Sequence, residues 1–138
     1  MGVCISAKNS KYDFYMGYFG FFNLRMNIAY ALDKEFGRNY EKLKYCFSKL
    51  DFEMNDKIAN KLIEEKKLDE DIVEFLYQPD SDGSISYKTC WKIYEIIKGK
   101  RFRGGRGFRY GAYRHNDYTE FKEFLKECYQ HRRKMRWS

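Results

Sequence analysis

The clearest hydrophobic pattern in the chain is an apolar stripe that recurs about every fourth residue in its first quarter. The stripe consists of Leu24, Ile28, Ala31, Leu32 and Phe36. This spacing matches the turn of an α-helix and predicts one amphipathic helix. Asn23 is placed to cap the start of this helix, and Gly37 is placed to end it.

Similar spacing predicts further short helices along the rest of the chain. They run from Asn39 through Leu50, from near Asn55 to Lys66–Lys67, after Asp69, from Ser86 to Gly99, and from Asp117 onward. Ser86 is expected to cap the fifth helix, and Asp117 with Glu120 forms a capping box at the last one. The last helix is expected to continue through the basic residues 131–137.

The first twenty residues have a different pattern, which predicts a β-hairpin. Val3 and Ile5 alternate with less apolar residues, a polar turn follows at 8–11, and residues 12–18 are aromatic and extended in character. The predicted fold class is therefore α+β, mainly helical, with five to six short helices and a small N-terminal antiparallel hairpin. Residues 100–114, which are rich in glycine and arginine, allow a second hairpin.

The length of 138 residues fits a single domain with one core. We divide it into a hairpin (1–20), a helical core (21–98), a basic segment rich in glycine, arginine and aromatic residues (99–116) and a basic C-terminal helix (117–138). No apolar run approaches the roughly 20 residues of a membrane span, and the start lacks the order of a secretory signal. We therefore expect a soluble, cytoplasmic protein that does not contact a membrane and whose four cysteines are reduced.

Charge is distributed very unevenly along the chain. Residues 1–97 hold 14 Lys/Arg against 16 Asp/Glu, a net charge of −2, whereas residues 98–138 hold 13 against 4, a net charge of +9. The whole excess of +7 thus lies in the last 41 residues. Such an asymmetry is typical of a protein that binds an anionic partner.

The basic segment reads KGKRFRGGRGFRYGAYR from residue 98 to residue 114 and suggests how an anion is bound. Guanidinium groups donate paired hydrogen bonds to phosphate, and aromatic rings stack on bases. The candidate phosphate-binding residues are Arg101, Arg103, Arg106 and Arg109, and the candidate stacking residues are Phe108, Tyr110 and Tyr113. Arg132, Arg133 and Arg136 extend this surface if the last helix folds back alongside it.

Two other interpretations of the same residues stay open. In one, the segment is a solvated basic loop that only aids solubility. A hairpin that turns at Gly104–Gly105 and buries Phe102, Phe108 and Tyr110 is compatible with anion binding, because it can present its arginines outward. In the other, the basic face docks on an acidic surface of a host protein, with Trp137 as an anchor.

Enzymatic motifs are absent from the sequence, which contains no G-x-S-x-G, Walker or H-E-x-x-H pattern. His115 lacks a nucleophilic partner, so we expect no enzyme and no cofactor. The acidic turn at Asp80–Asp82 resembles the middle of a calcium-binding loop, but Gln78 and Thr89 stand where two essential carboxylates are needed. The opening MGVCIS matches a pattern for N-terminal acylation, and the sequence does not show whether it is used.

Two stretches carry a resemblance to other proteins. The first is GYFGFFNLR at residues 17–25, and the second runs from Phe75-Leu76-Tyr77 through Asp82-Gly83-Ser84-Ile85 to Cys90 and Ile93-Tyr94. In outline the first 97 residues resemble small proteins carried by bacteriophages and prophages. That group has no established activity to carry over. The resemblance implies a bacterial or viral cytoplasmic setting and, by analogy, a protein that acts by binding host machinery.

Overall fold

The structure is a computed structural model that describes residues 2–43, 49–100, 109–110, 113–114 and 118–138. Its elements are β1 (Val3–Ser6), β2 (Phe14–Met16), α1 (Tyr18–Leu32), α2 (Lys34–Lys42), α3 (Lys49–Glu64), α4 (Glu70–Tyr77), β3 (Gly83–Ile85), α5 (Tyr87–Ile97), β4 (Arg109–Tyr110), β5 (Tyr113–Arg114), α6 (Thr119–Gln130) and β6 (Met135–Trp137). The predicted α+β, mainly helical class is confirmed.

The main sheet has four antiparallel strands in the order β2-β1-β6-β3. The predicted N-terminal hairpin is confirmed, because Val3 pairs with Met16 and Ile5 with Phe14. β6 lies between β1 and β3, and the backbones of Cys4 and Ser138 exchange hydrogen bonds of 2.9 and 3.1 Å. The segment that follows the last helix thus completes the sheet that the first strand begins.

The predicted basic helix over residues 117–138 is wrong beyond Gln130. Arg132 adopts left-handed backbone with φ 53°, and the Arg133 N–H donates to the Cys128 carbonyl at 2.8 Å. This is the hydrogen-bond pattern of a Schellman helix end, which turns the chain out of the helical path. The chain then forms β6, in which Met135 and Trp137 are buried and Arg136 is exposed.

The start of α6 also differs from the prediction. The capping residue is Tyr118, in left-handed backbone with φ 55° and without a side-chain cap. The Tyr118 hydroxyl accepts a hydrogen bond of 2.7 Å from Asn27 on α1, so a tertiary contact accompanies this unusual start. Asp117, the predicted cap, lies outside the described residues.

The single helix predicted over residues 24–36 is two helices, with Asp33 at their junction. The Asp33 carboxylate accepts a hydrogen bond of 2.9 Å from the Phe36 N–H and caps α2. Asn23 lies inside α1 rather than at its start. Gly37, the predicted stop, is buried within α2, where a Cβ atom would lie 2.7 Å from the Tyr30 Cα atom. The glycine serves close packing of the two helices instead of ending one.

The next three helices agree with the sequence to different degrees. α3 begins at Lys49 rather than near Asn55, and the predicted second helix falls partly on residues 44–48, outside the described residues. Asp69 caps α4 by accepting from the Asp71 N–H at 2.9 Å, and Ser86 caps α5 by accepting from the Thr89 N–H at 3.3 Å. The predicted Ser86 cap of α5 is confirmed.

The core is built from aromatic rings between the sheet and the helices. Phe14 of β2 packs edge-on against Phe124 of α6, with ring centroids 5.4 Å apart. Trp137 of β6 packs against Phe75 of α4 at 5.3 Å and Phe21 of α1 at 5.7 Å. α5 and α6 run antiparallel, since Tyr87 contacts Tyr129 at one end and the Lys122 ammonium donates to the Lys100 carbonyl at the other.

The cysteines in the described part of the chain are free, as expected for reduced thiols: Cys4, Cys90 and Cys128. The hydrogen bond that the Cys90 thiol donates to the neighbouring Cys128 side chain, together with burial, raises the pKa of Cys90 above its usual range. Cys90 is therefore kept in its neutral, unreactive form. Cys46 lies outside the described residues.

Candidate nucleic-acid interface

One face of α5 carries a line of half-buried aromatic residues, of which Tyr94 also packs against the core. Cys90, Ile93 and Ile97 point into the core, whereas the half-buried residues Tyr87, Trp91 and Tyr94 follow another line along the helix. These three residues are spaced by four and three positions, so they lie one above another on the helix surface. Lys98 continues the same line at the end of the helix.

α6 contributes a further ring to this stripe. The Tyr129 ring is 40% exposed and stacks on the Trp91 ring, with centroids 4.5 Å apart and planes 27° from parallel. Tyr87 lies 6.2 Å from Tyr129, and Tyr94 lies 5.0 Å from Trp91. Four partly exposed rings therefore form a continuous surface between α5 and α6, which we call the ring ladder: Tyr87, Tyr129, Trp91 and Tyr94.

The ring ladder borders an open groove of about 550 Å³. The groove is lined by Tyr87, Lys88, Trp91, Lys92, Tyr129, Gln130 and Arg132. Lys88 and Arg132 are exposed and take part in no ion pair within the described ranges. They leave positive charge at the edges of an aromatic surface.

The remaining cations near the ladder are partly neutralised. Lys92 contacts the carboxylates of Asp71 at 2.8 Å and Asp69 at 3.1 Å, and the hydrogen bonds to these two groups raise its pKa. Lys98 pairs with Glu95 at 2.8 Å, and this hydrogen bond raises the pKa of Lys98. Lys88 and Arg132 are therefore the groove cations best placed to meet an incoming anion.

The three C-terminal arginines predicted to share one surface lie in three different places. Arg132 lines the groove beside the ring ladder. Arg133 bonds to the Glu127 carboxylate at 3.0 Å and to the Asn9 carbonyl at 3.1 Å, so its charge is already paired. Arg136 stands on the outer face of the sheet, in register between Ser6 and Ser84.

The other predicted site residues belong to the basic segment of the sequence, residues 99–116. Arg101, Arg103, Arg106 and Phe108 lie outside the described residues, as do Gly104 and Gly105. Arg109 and Tyr110 form β4, which pairs antiparallel with Tyr113 and Arg114 of β5 and lies beside β2. A second hairpin is thus present, but its paired strands flank residues 111–112 rather than Gly104–Gly105.

Trp137 is not the surface anchor that one interpretation required. Its ring is 1% exposed, and its indole N–H donates to the Pro79 carbonyl at 2.9 Å. Gly83 packs so closely on this ring that a Cβ atom at residue 83 would collide with it. Trp137 is a core residue, and no external partner reaches it in this fold.

The sequence interpretation missed the ring ladder, although it contained a signal for it. The helix over residues 86–99 has two apolar lines, one more than a helix that packs on a single core needs. The interpretation assigned Tyr94 to the core line, against which it does pack, and left Tyr87, Trp91 and Tyr129 without a role. A surplus aromatic line on a short helix indicates a surface that binds a partner.

The acidic turn between α4 and β3 has a structural role. Asp80 accepts a hydrogen bond of 3.0 Å from Arg25, whose guanidinium is 3% exposed and lies over the rings of Phe21, Phe75 and Trp137.

The described part of the chain contains no cluster of three or more metal-ligating side chains. Among the same residues, no helix is long and apolar enough to span a membrane.

Comparisons with family models, with curated proteins and with solved structures found no match to this chain. The resemblance to phage proteins therefore stays a prediction, and the case for a function depends on the groove and the charge of the chain itself.

Proposed function

We propose that the chain is a non-enzymatic, phage-type binding protein of the cytoplasm that holds nucleic acid or a phosphate-bearing nucleotide on its basic C-terminal surface. One observation carries the proposal. Two exposed cations without ion pairs in the described residues, Lys88 and Arg132, flank a groove whose wall is a ladder of stacked aromatic rings. The groove thus combines cations that can donate hydrogen bonds to phosphate with aromatic rings that can contact bases.

The charge distribution supports the same proposal. The net charge of +9 in residues 98–138 attracts polyanions over a distance of about one Debye length, and the groove lies where this segment meets α5.

A second candidate function is docking on an acidic surface of a host protein. The Trp91–Tyr129 pair favours it, because partly exposed Trp and Tyr beside cations are the residue types that dominate the energetics of protein interfaces. This candidate predicts loss of partner binding on charge reversal without saturable binding of any nucleotide. The two functions therefore separate in a direct binding assay.

Arg132→Gly is the variant that tests the proposed function with least disturbance of the fold. Glycine fits the left-handed backbone at residue 132, so we expect the free energy of unfolding to stay level or rise by up to about 1 kcal/mol. We expect affinity for a labelled oligothymidylate of about 15 nucleotides to fall about fivefold at low salt, since one phosphate contact is lost. Fluorescence anisotropy over a salt series measures this change, and the log–log slope should fall by about 0.7.

Lys66→Gly is the matched control. Lys66 also has left-handed backbone, φ 59°, and ends α3 with the same pattern, in which the Lys67 N–H donates to the Leu62 carbonyl at 2.8 Å. The substitution removes one positive charge from a site remote from the groove lining. Equal losses in the two variants would show that only net charge matters, and absence of saturable oligonucleotide binding in the unaltered protein would refute the proposed function.

A further inference from the structure

We infer that the groove binds the unpaired bases of a single-stranded nucleic acid by stacking them on the ring ladder. This inference rests on the proposed function and names the ligand class of the same site. The observation that carries it is the continuity of the ladder: successive ring centroids lie 4.5 to 6.2 Å apart from Tyr87 to Tyr94. This run of rings is longer than a single base, so its exposed side suits contact with several successive bases better than with one isolated ligand.

Tyr129 is 40% exposed and keeps part of its ring open to solvent, and only an unpaired base has a face free to stack on it. In a duplex each base face is covered by its neighbours, so stacking on a protein ring requires the base to leave the helix. A duplex would meet the cations at the groove edge but would gain nothing from Tyr87, Trp91, Tyr94 and Tyr129. The aromatic content of the groove therefore favours single strands.

The groove also lacks the features of a pocket for a free mononucleotide. It is open along its length, and Gln130 is the one lining residue with an uncharged amide to read a base edge. Mononucleotide sites enclose most of their ligand and place several polar groups around it. An open aromatic wall with cations at its rim fits binding that tolerates any base sequence.

The ends of the ladder give the bound strand a path. The aromatic line from Tyr87 reaches Lys98 after eleven helical residues, a rise of about 16 Å, which accommodates two to three stacked bases. Arg132 and Lys88 lie at the start of this line. Gly99 and Lys100 follow Lys98 and are exposed. The Lys100 carbonyl accepts a hydrogen bond of 2.7 Å from the Lys122 ammonium, which ties the start of the basic segment to α6.

The ladder is ordered before any ligand arrives. Trp91 and Tyr129 hold each other at 4.5 Å, and the helix that carries Trp91 is fixed through its buried residues Cys90 and Ile93. A base therefore meets rings that are already immobilised, and little side-chain freedom is lost on binding. The ladder thus differs from a set of exposed rings that lie near one another but move independently.

The test compares three probes at equal salt: a labelled oligothymidylate, a blunt duplex of equal length and thymidine monophosphate. We expect the single strand to bind at least about tenfold more tightly than the duplex. We expect Trp91→Ala to weaken single-strand binding by about tenfold or more and to leave duplex binding unchanged, whereas Trp91→Phe retains most of the affinity. The blue-shifted emission of the buried Trp137 reports that each variant is folded.

Tyr15→Ala is the control for loss of an exposed ring, since Tyr15 is 64% exposed on β2 and does not line the groove. It should bind like the unaltered protein. Equal weakening of single-strand and duplex binding by Trp91→Ala, or a preference for duplex or mononucleotide, would overturn this inference while the proposed function stands. Failure to bind any of the three probes would overturn both.

Discussion

Trp137→Ala is expected to lower the free energy of unfolding by about 3–5 kcal/mol, because it removes the largest buried side chain of the core and leaves a cavity. The ring contacts Phe21 and Phe75 and lies under the Arg25 guanidinium, and its N–H satisfies the Pro79 carbonyl. All of these contacts are lost together. Urea denaturation followed by far-UV circular dichroism measures the change.

Trp91→Ala is the matched control for that loss, since it deletes the same side chain from the half-buried ring ladder. We expect it to cost less than half as much, because part of the Trp91 ring is exposed to solvent before the change. If Trp137→Ala destabilised the protein no more than Trp91→Ala, the placement of β6 between β1 and β3 would be wrong.

Asp80→Ala is expected to lower the free energy of unfolding by about 2 kcal/mol, because it leaves the buried Arg25 guanidinium without its charged partner. Desolvation by burial already lowers the pKa of Arg25, and Asp80 opposes that effect. After the substitution the Gln78 carbonyl, 2.8 Å from the Arg25 guanidinium, still accepts a hydrogen bond from it. Since Asp80 is itself 45% exposed, solvent screens part of the interaction and keeps the loss modest.

The double variant Arg25→Met, Asp80→Ala separates an unpaired buried charge from a simple loss of contacts. Methionine retains an unbranched stem among the rings of Phe21, Phe75 and Trp137 and carries no charge to desolvate. We expect the double variant to recover at least half of the stability lost in Asp80→Ala, measured by the same urea denaturation. A double variant less stable than Asp80→Ala would contradict this account of the acidic turn.

Elements specified by neighbouring residues were predictable from the sequence. The Ser86 cap of α5 depends on residues three positions apart, and the two strands of the N-terminal hairpin lie within the first sixteen residues. Such local patterns keep their meaning whatever the rest of the chain does. The aromatic core also followed from the composition, with 13 Tyr, 12 Phe and 2 Trp.

Elements that depend on distant partners were not predictable. Met135, Arg136 and Trp137 alternate over only three residues, which is too short to distinguish a strand from the frayed end of a helix. β6 forms because β1 and β3, from distant parts of the chain, offer hydrogen bonds on both sides of it. The break between α1 and α2 at Asp33 was not predictable either, because the apolar stripe from Leu24 to Phe36 continues across it.

The candidate site shows the same division. The charge asymmetry indicated the last third of the chain as the binding region, but it did not show which cations share a surface. Arg132 and Arg133 are adjacent in sequence yet line different grooves, because the left-handed backbone at Arg132 separates their directions. Trp91 and Tyr129 are far apart in sequence and meet only through the antiparallel packing of α5 and α6.

The most direct test of the site is the ¹⁵N–¹H spectrum of the two tryptophan indoles during titration with unlabelled oligothymidylate. The account predicts that the Trp91 indole signal moves progressively and saturates, because bases stack on the ring ladder. The Trp137 signal should stay in place, since its N–H is bonded to the Pro79 carbonyl inside the core. A titration in which the protein binds the strand while the Trp91 signal does not move would contradict the assignment of the groove.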